Sequence, residues 1–250
     1  VVITDKAGLQ YNNLDKTEYV VDGYGSARLW ENDGNNFTVS TTITRVSGSE
    51  QFCAGITLYE RNGDGNLNKL LIGVEKEGNI FFCKDYYRFP LYYKYEGWQW
   101  NNNGVVNLEV SYTAGVSTAD STITIVVANK NYSESLTRTY TLDELNALVS
   151  DKVDGEDKAF NLHFTGDFEI GLGGNLNRCT FTNVLFDNSR TVTFVDAYGN
   201  KTIEKYADGA TLELPAVVER QGFEFLGWAE RTGDDTYAEP TLTPNLTVTG

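Results

Sequence analysis

Apolar and polar side chains alternate with a period of two residues along most of this sequence. Such alternation predicts β-strands with one buried face, and the clusters of glycine, asparagine and aspartate between the runs predict turns. Strands at this spacing, with few helical stretches, predict an all-β fold, namely an antiparallel jelly-roll β-sandwich. The clearest alternating runs are residues 37–43, 56–58, 108–112, 160–164 and 168–172.

One short helix is predicted over residues 142–150. Thr141 and Glu144 have the spacing of a capping box, in which each side chain accepts a hydrogen bond from the backbone N–H of the other residue. Leu142, Leu145 and Leu148 then recur at helical spacing. We interpret this helix as a lid over one end of the sandwich.

A domain boundary is predicted near residue 189. Residues 1–189 contain the predicted sandwich, and residues 190–250 start a new alternation at Val192. A unit of about 60 residues rarely buries enough apolar surface to be stable alone. We therefore expect the second unit to lean on neighbouring modules of a longer chain, or to belong to an array.

The charge balance narrows the classes of partner. The 250 residues include 20 Lys+Arg and 35 Asp+Glu, which gives a net charge of −15. This acidic balance argues against nucleic acid and against an anionic membrane surface as partners. No apolar run approaches the ~18 residues of a membrane span, so membrane insertion is not expected.

The cysteines are predicted to be free thiols. The expected strand order places Cys53 beside Glu75 and Cys83 beside Leu71, at opposite ends of one neighbouring strand. That separation exceeds the ~7 Å between Cα atoms that a disulfide can span. Cys179 is the only further cysteine.

The richest candidate site is the segment of residues 85–100, in which eight of sixteen residues are aromatic. A strand buries only alternate residues, and Pro90 and Gly97 interrupt the run, so some of these rings are expected to meet solvent. An exposed ring can carry the apolar face of a sugar, while amides, carboxylates and guanidinium groups hydrogen-bond its polar rim. We predict a carbohydrate-binding platform of Tyr92, Tyr93, Tyr95, Trp98 and Trp100, with a rim of Asp85, Arg88, Gln99, Asn101 and Asn102.

An alternative interpretation of this aromatic segment stays open. The same rings could pack beneath a long loop as a satellite core, with no ligand. The two interpretations differ in the solvent exposure of the rings between Tyr86 and Trp100.

Two pairs of acidic residues raise the hypothesis of a glycoside hydrolase. Glu75 and Glu77 are two positions apart, as are Asp167 and Glu169, so each pair shares a strand face. Glycosidases use two carboxylates that flank the scissile bond. No further catalytic motif accompanies either pair, so we interpret both as solvated strand ends and predict no catalytic residue.

No metal ion or other cofactor is assigned from the sequence. Asn62, Asp64 and Asn66 alternate through one turn, but calcium sites usually have several carboxylates and Asp64 is the only one there. His163 is the single histidine and cannot build a histidine-based metal site alone. Ca²⁺ binding stays an open alternative without assigned ligands.

Two weaker candidate sites follow from local composition. Trp30 precedes a turn and is expected to pack against the core or an edge. A glycine-rich turn is predicted at residues 171–174, and Asn175, Asn177 and Arg178 after it are minor candidates for a sugar rim.

Residues 10–188 resemble a concanavalin A-like (laminin G-like) lectin jelly roll, because their apolar runs follow the order of that family's strands. This resemblance implies glycan binding most often, and glycanase activity or protein adhesion in other members. The runs that carry it are residues 37–43, 54–59, 71–75, 107–112, 122–127, 170–174 and 181–184.

Residues 191–250 resemble the Listeria–Bacteroides (internalin B-type) repeat. The resemblance implies a small β-grasp-like module, often a spacer in bacterial surface proteins, and hence an extracellular setting. This copy departs from the pattern because it lacks the closing Ala-x-Trp before Gly250. The matching residues are 192–194, Tyr206, Gly209, Leu214, Pro215 and the run 222–228.

These observations lead to a first hypothesis of function. The chain is expected to be a non-catalytic carbohydrate-binding domain of a secreted or surface-attached bacterial protein, with a polysaccharide as partner. An extended aromatic platform favours a glucan, with a starch-like α-glucan as the first choice. A protein-binding adhesin or a structural stalk module is the alternative, and a glycoside hydrolase is the third hypothesis.

Overall fold

The computed structural model describes residues 3–4, 9–11, 19–61, 67–75, 80–84, 87–90, 104–129, 135–150, 164–207, 210–216, 219–233 and 236–240. Nearly all the regular structure is β, which confirms the predicted fold class. The strands are β1 Ile3–Thr4, β2 Leu9–Tyr11, β3 Tyr19–Asp33, β4 Phe37–Arg61, β5 Leu67–Glu75, β6 Ile80–Lys84, β7 Tyr87–Pro90, β8 Val105–Thr113, β9 Thr122–Asn129, β10 Ser135–Thr141, β11 Asp167–Asp187, β12 Arg190–Val195, β13 Lys201–Tyr206, β14 Arg231–Gly233 and β15 Thr236–Tyr237.

The chain divides into two compact units. Unit 1 comprises Val1–Asp187 and unit 2 comprises Asn188–Gly250. Each unit has a separate hydrophobic cluster among the described residues.

Unit 1 is built around two long central strands, β4 and β11, which pair with each other antiparallel. The first half of β4 pairs with β8, which continues to β9 and β10. The second half of β4 pairs with β5, which continues to β6 and β7. On its other side, β11 pairs with β3. The strands β8, β9 and β10, joined to the first half of β4, form one arm of the sheet, and β5, β6 and β7, joined to its second half, form the other, the β5 arm. The two arms share one core, so they face each other as the layers of a sandwich.

The core follows the predicted period of two. Strand β8 alternates strictly, with Leu108, Val110 and Tyr112 buried between exposed or half-buried neighbours. Phe168 of β11 lies among aromatic rings, with edge-on contacts to Tyr112 at 5.4 Å and to Phe164 at 5.5 Å between ring centroids. Burial of each large apolar side chain stabilises the fold by roughly 1.5–3 kcal/mol.

The predicted helix and its cap are confirmed. Helix α1 spans Leu142–Ser150, with Leu142 and Leu145 buried in the core of unit 1. The backbone N–H of Glu144 donates to Thr141 Oγ1 at 3.1 Å, and the N–H of Thr141 donates to Glu144 Oε2 at 2.9 Å. The two reciprocal bonds satisfy N–H groups that a helix start leaves unpaired.

The predicted glycine-rich turn at residues 171–174 is wrong. These residues lie inside β11, paired with β3 on one side and with β4 on the other. Glycine is normally a weak strand former, but a strand between two neighbours has backbone hydrogen bonds on both edges. Strand β11 is irregular at other points, where its pairing with β4 shifts in register. One such shift lies between Thr182 and Leu185, where Asn183 has a positive φ of 51°.

The predicted separation of the two cysteines is confirmed by strand register. Cys53 is paired with Glu75 and Cys83 with Leu71. Four positions along β5 separate these partners by about 13 Å, at ~3.3 Å per residue. Cys179 is free and buried in the core, and burial is the main reason that the pKa of its thiol is raised.

Unit 2 has a small core. The hairpin of β12 and β13 packs Phe194 against Leu212, with Trp228 half-buried beside them. Phe225, in the run 222–228 that resembles the repeat, lies outside this core: its ring centroid is 6.0 Å from that of Trp228, but the side chain is exposed. The β-grasp-like arrangement stays an expectation.

Candidate functional site

The predicted aromatic platform lies almost wholly outside the described residues, so its ring exposure stays a prediction. Only Arg88 falls in a described strand, β7, where its backbone is opposite Cys83. The other members outside the described residues are Asp85, Tyr92, Tyr93, Tyr95, Trp98, Gln99, Trp100, Asn101 and Asn102.

The register of the strands defines a second candidate surface, on the face of the β5 arm that is turned away from the core. We call it the outer face. Directly paired residues project to the same side of a sheet, so the pairings align its positions in rows across the strands. The three rows are Glu31, Glu169, Tyr59 and Lys69; Arg28, Gly171, Thr57, Leu71, Cys83 and Arg88; and Ser26, Gly173, Gly55, Gly73, Phe81 and Pro90.

An ion pair lies at the β3 end of the outer face. Arg28 Nη1 donates to Glu169 Oε2 at 2.5 Å, and the two side chains are 16 % and 26 % exposed. A charged pair that is partly shielded from water interacts more strongly than one on an open surface. Glu169 is therefore a paired side chain, and its interpretation as a solvated strand end is wrong.

Two hydroxyl groups lie beside this ion pair. Ser26 Oγ and Thr57 Oγ1 are buried and have no hydrogen-bond partner among the described residues. An unpaired buried hydroxyl costs about 1–3 kcal/mol. The two hydroxyls therefore have unused donor and acceptor capacity within the described residues, and both atoms are buried.

Four glycines form the middle of the outer face, on three adjacent strands. Gly55, Gly73, Gly171 and Gly173 are all buried. Gly55 is required by the sheet itself, because a Cβ there would meet the carbonyl oxygen of Ile72. Without side chains, this part of the face lets another group approach the backbone closely.

A buried carboxyl group lies at the end of β4 that faces the start of β11. Glu60 Oε1 accepts hydrogen bonds from the Thr165 backbone N–H at 2.5 Å and from Thr165 Oγ1 at 3.0 Å. Glu60 is 4 % exposed, and its Oε2 has no partner among the described residues. Burial raises the pKa of Glu60, the bonds from Thr165 lower it in part, and the charge of Asp167 raises it further. We interpret Glu60 as a structural clamp on the chain that enters β11.

The remaining sequence candidates have mixed outcomes. Trp30 packs at the edge of the core, stacked on Phe186 at 5.1 Å between ring centroids, as expected. Asp167 is exposed, as expected of a strand end. Glu77, His163 and the turn at residues 62–66 lie outside the described residues, as do the side chains of Glu75, Asn175, Asn177 and Arg178.

Within the described ranges, no group of three or more His, Cys, Asp or Glu side chains is placed to hold a metal ion. Nor does the described part of the chain contain a helix of the length and hydropathy that would cross a bilayer.

Comparison with known proteins gives distant structural likenesses only. No family profile and no curated protein matches this chain. Among solved structures, it is similar to a xylan β-1,4-xylosidase from Bacillus halodurans C-125 (14 % identity, 68 % of this chain and 32 % of that chain, TM-score 0.40). It is also similar to a bifunctional GH43-CE protein of Bacteroides eggerthii (14 % identity, 72 % and 24 %, TM-score 0.39).

A third likeness is to a much shorter protein, the carbohydrate-binding module CBM66 from Bacillus subtilis (12 % identity, 74 % of this chain and 94 % of that chain, TM-score 0.39). The chain thus spans only about a third or less of the two enzymes. Likenesses with these scores assign no activity and no ligand to this chain.

Proposed function

We propose that unit 1 is a non-catalytic carbohydrate-binding domain that holds a polysaccharide. The observation that carries the proposal is the composition of the outer face, where Arg28, Glu169, Ser26 and Thr57 lie together around a glycine floor. The opposite face of the same strands is lined by aliphatic side chains, whereas the outer face combines these polar groups with a small apolar cluster of Leu71 and Phe81.

The chemistry of this set suits a sugar. The guanidinium group offers hydrogen-bond donors, the carboxylate offers acceptors, and each hydroxyl offers both. The ion pair is electrically neutral as a unit, so it favours a neutral glycan over a charged one. The glycines leave room for a ring to lie close to the backbone.

The aromatic segment is linked to the outer face through β7. Arg88 lies in the same cross-strand row as Thr57, and Pro90 ends the row that contains Gly55 and Gly73. The segment from residue 91 follows directly along the chain. The proposal treats the predicted platform and the outer face as one binding surface, because the chain runs directly from β7 into the aromatic segment.

The proposal also covers the type of polysaccharide and the location of the protein. A glucan is the expected polysaccharide, starch-like first, bound through stacking on Tyr and Trp rings. The protein is expected to be secreted or attached to a bacterial surface, with no cofactor required. Unit 2 would be a repeat-type spacer that connects unit 1 to neighbouring modules.

Retention on insoluble polysaccharides tests the proposal. The whole chain is expected to be retained on starch granules, and Trp98→Ala with Trp100→Ala to reduce retention by about tenfold, at ~0.5–1.5 kcal/mol per stacked ring. Tyr237→Ala, which removes an exposed ring from unit 2, serves as the matched control and should leave retention unchanged. Absence of retention on starch and on a broad glycan array would refute the proposal.

A protein-binding adhesin or stalk module is the second candidate function. The observation in its favour is that Thr57 and Tyr59 of the outer face are fully buried, as residues in a packing surface are. This candidate predicts that Trp98 and Trp100 are protected from oxidation in the free chain, and that no glycan is retained. Rapid oxidation of both rings, together with glycan retention, would eliminate it.

A further inference from the structure

A cluster of three exposed side chains lies in unit 2. The Arg220 guanidinium carbon is 4.3 Å from the centroid of the Phe223 ring and 5.9 Å from that of the Tyr198 ring. Phe223 is 67 % exposed and Tyr198 is 58 % exposed. We call these three residues the arginine–aromatic cluster. The two rings flank one guanidinium group and so form a joint exposed patch, the kind of surface feature at which binding sites occur.

Two hydrogen-bonded turns hold the arginine–aromatic cluster in place. The Phe223 backbone N–H donates to the Arg220 carbonyl oxygen at 3.0 Å, in a turn whose Gly222 has a φ of 82° that suits glycine. The hydroxyl of Tyr198 donates to the Glu219 carbonyl oxygen at 3.3 Å. The ring of Tyr198 is thus tied to the turn that carries the guanidinium group.

The loop that carries Tyr198 is itself fixed by a carboxylate. Asp196 Oδ1 accepts hydrogen bonds from the backbone N–H groups of Tyr198 and Asn200, each at 2.8 Å. Asp196 Oδ2 accepts from the Asn200 side-chain amide at 2.8 Å. The side-chain bond from Asn200 is the main reason that the pKa of Asp196 is lowered. The cluster is therefore ordered before any partner arrives, which reduces the entropy lost on binding.

The guanidinium group of Arg220 is available to a partner. Within the described ranges it forms no ion pair, although Glu219 and Glu224 are close to it in sequence. Stacking on a ring occupies the flat face of a guanidinium group and leaves its N–H donors around the edge. Two of those donors match the two oxygens of a carboxylate.

We propose that the arginine–aromatic cluster binds a carboxylate-bearing sugar, that is, a uronic acid unit of an acidic polysaccharide. The carboxylate pairs with Arg220, and the C–H face of the pyranose ring rests on an exposed face of Tyr198 or Phe223. Charge-assisted hydrogen bonds are about twice as strong as neutral ones, so the carboxylate sets the preference for this sugar class. The net charge of −15 disfavours anionic partners in general, but charges beyond ~8 Å are screened at physiological ionic strength, so the local balance of Arg220 against Glu219 and Glu224 decides at this site.

The site goes beyond the proposed function, because it lies on the other unit and takes an acidic sugar where the outer face takes a neutral one. Its failure would leave starch retention unchanged, and loss of starch retention would leave this site untouched.

Titration of the ¹⁵N-labelled whole chain with a galacturonic acid trisaccharide tests the proposal. The side-chain Nε–H resonance of Arg220 is expected to shift on binding, with a Kd of about 1 mM, the usual range for one short sugar contact. A matched galactose trisaccharide, which lacks the carboxylates, is expected to bind at least tenfold more weakly.

Variants of Arg220 distinguish recognition by the paired N–H donors of the guanidinium group from attraction by its positive charge alone. Binding to the variants is followed at the backbone amide resonances of positions 198 and 223, which every variant keeps. Arg220→Gln is expected to abolish binding and Arg220→Lys to weaken it at least tenfold, because lysine keeps the charge and loses the paired donors. Phe223→Leu should weaken binding severalfold. Lys201→Gln removes an exposed positive charge elsewhere in unit 2 and should leave binding unchanged.

Three results would overturn the proposal. The first is equal binding of the neutral trisaccharide, and the second is an Arg220→Gln variant that binds as well as the parent or loses no more than Lys201→Gln does. The third is tighter binding of a triglutamate peptide than of the uronate, which would assign the cluster to an acidic protein partner.

Discussion

The two units of this chain rely on different stabilising interactions. Unit 1 has an extensive apolar core that runs through both arms of its sheet, and it also buries polar side chains such as Glu60, Thr57 and Arg45. Unit 2 buries only Phe194 and Leu212 among its described hydrophobic residues.

The two units also differ in the number of large hydrophobic residues that they expose, and here unit 2 has more. All the exposed large hydrophobic residues in the described ranges, apart from Val116 and Leu185, belong to unit 2. Its local order comes from hydrogen-bonded turns, such as the one held by Asp196. The contrast indicates that unit 1 is stable by burial, whereas unit 2 leaves its large side chains available for contact.

The largest expected effect comes from the core residues. Phe168→Ala should lower the free energy of unfolding by about 3–5 kcal/mol, because it opens a cavity among Tyr112 and Phe164. Phe194→Ala in unit 2 should cost only about 1–3 kcal/mol, because fewer buried neighbours surround it. Denaturant unfolding of the whole chain measures both. Equal losses would show that the two cores are alike and would remove the contrast.

The buried carboxyl of Glu60 should have the second largest effect. Glu60→Ala leaves the Thr165 N–H without its acceptor and should cost about 1–3 kcal/mol. Glu60→Gln keeps an acceptor and cannot ionise. Because the pKa of Glu60 is raised on folding, its contribution to stability is complete below the unfolded value of about 4.3 and is lost as pH rises through the folded value.

Measuring the free energy of unfolding at a series of pH values tests the sign of this pH dependence. Glu60→Gln should become more stable relative to the parent as pH rises from about 4 to about 8. Asp196→Asn in unit 2 is the matched control with the opposite sign: the pKa of Asp196 is lowered, so its contribution is present above the unfolded value of about 3.9 and is lost as pH falls. A parent protein that gains stability over Glu60→Gln with rising pH would contradict the structural clamp.

The smallest effect is expected for the ion pair of the outer face. A double-mutant cycle of Arg28→Gln and Glu169→Gln should give a coupling free energy of about 1 kcal/mol, because the pair is only partly shielded from water. Urea unfolding of the four proteins measures it. A coupling near zero, with glycan retention also unchanged, would remove Arg28 and Glu169 from the proposed binding surface.

Local patterns were enough to predict most of the fold of unit 1. The alternation in β8 identifies its buried face, and the pair of Thr141 and Glu144 identifies the start of α1. Short turns between neighbouring strands made the pairing of Cys53 with Glu75 predictable as well. Each of these features depends on residues that are close in sequence or joined by one hairpin.

Features formed by distant segments were not predictable in the same way. The glycines at residues 171–174 look like a turn in isolation, and only pairing with β3 and β4 on both sides makes them a strand. Arg28 and Glu169 are 141 positions apart. Arg220 meets Tyr198 because two turns bring them together, and the only local signal was the pair of turns themselves.

The position of β11 affects how unit 1 would carry mechanical load. This strand ends unit 1 at Asp187, and it pairs with β4 up to Asp187 and with β3 from Asp167 to Phe181. A pull along the strand from Asp187 therefore loads the β4 ladder first and then, from Phe181 backwards, shears two ladders of hydrogen bonds at once. An edge strand, by contrast, has one ladder only along its whole length.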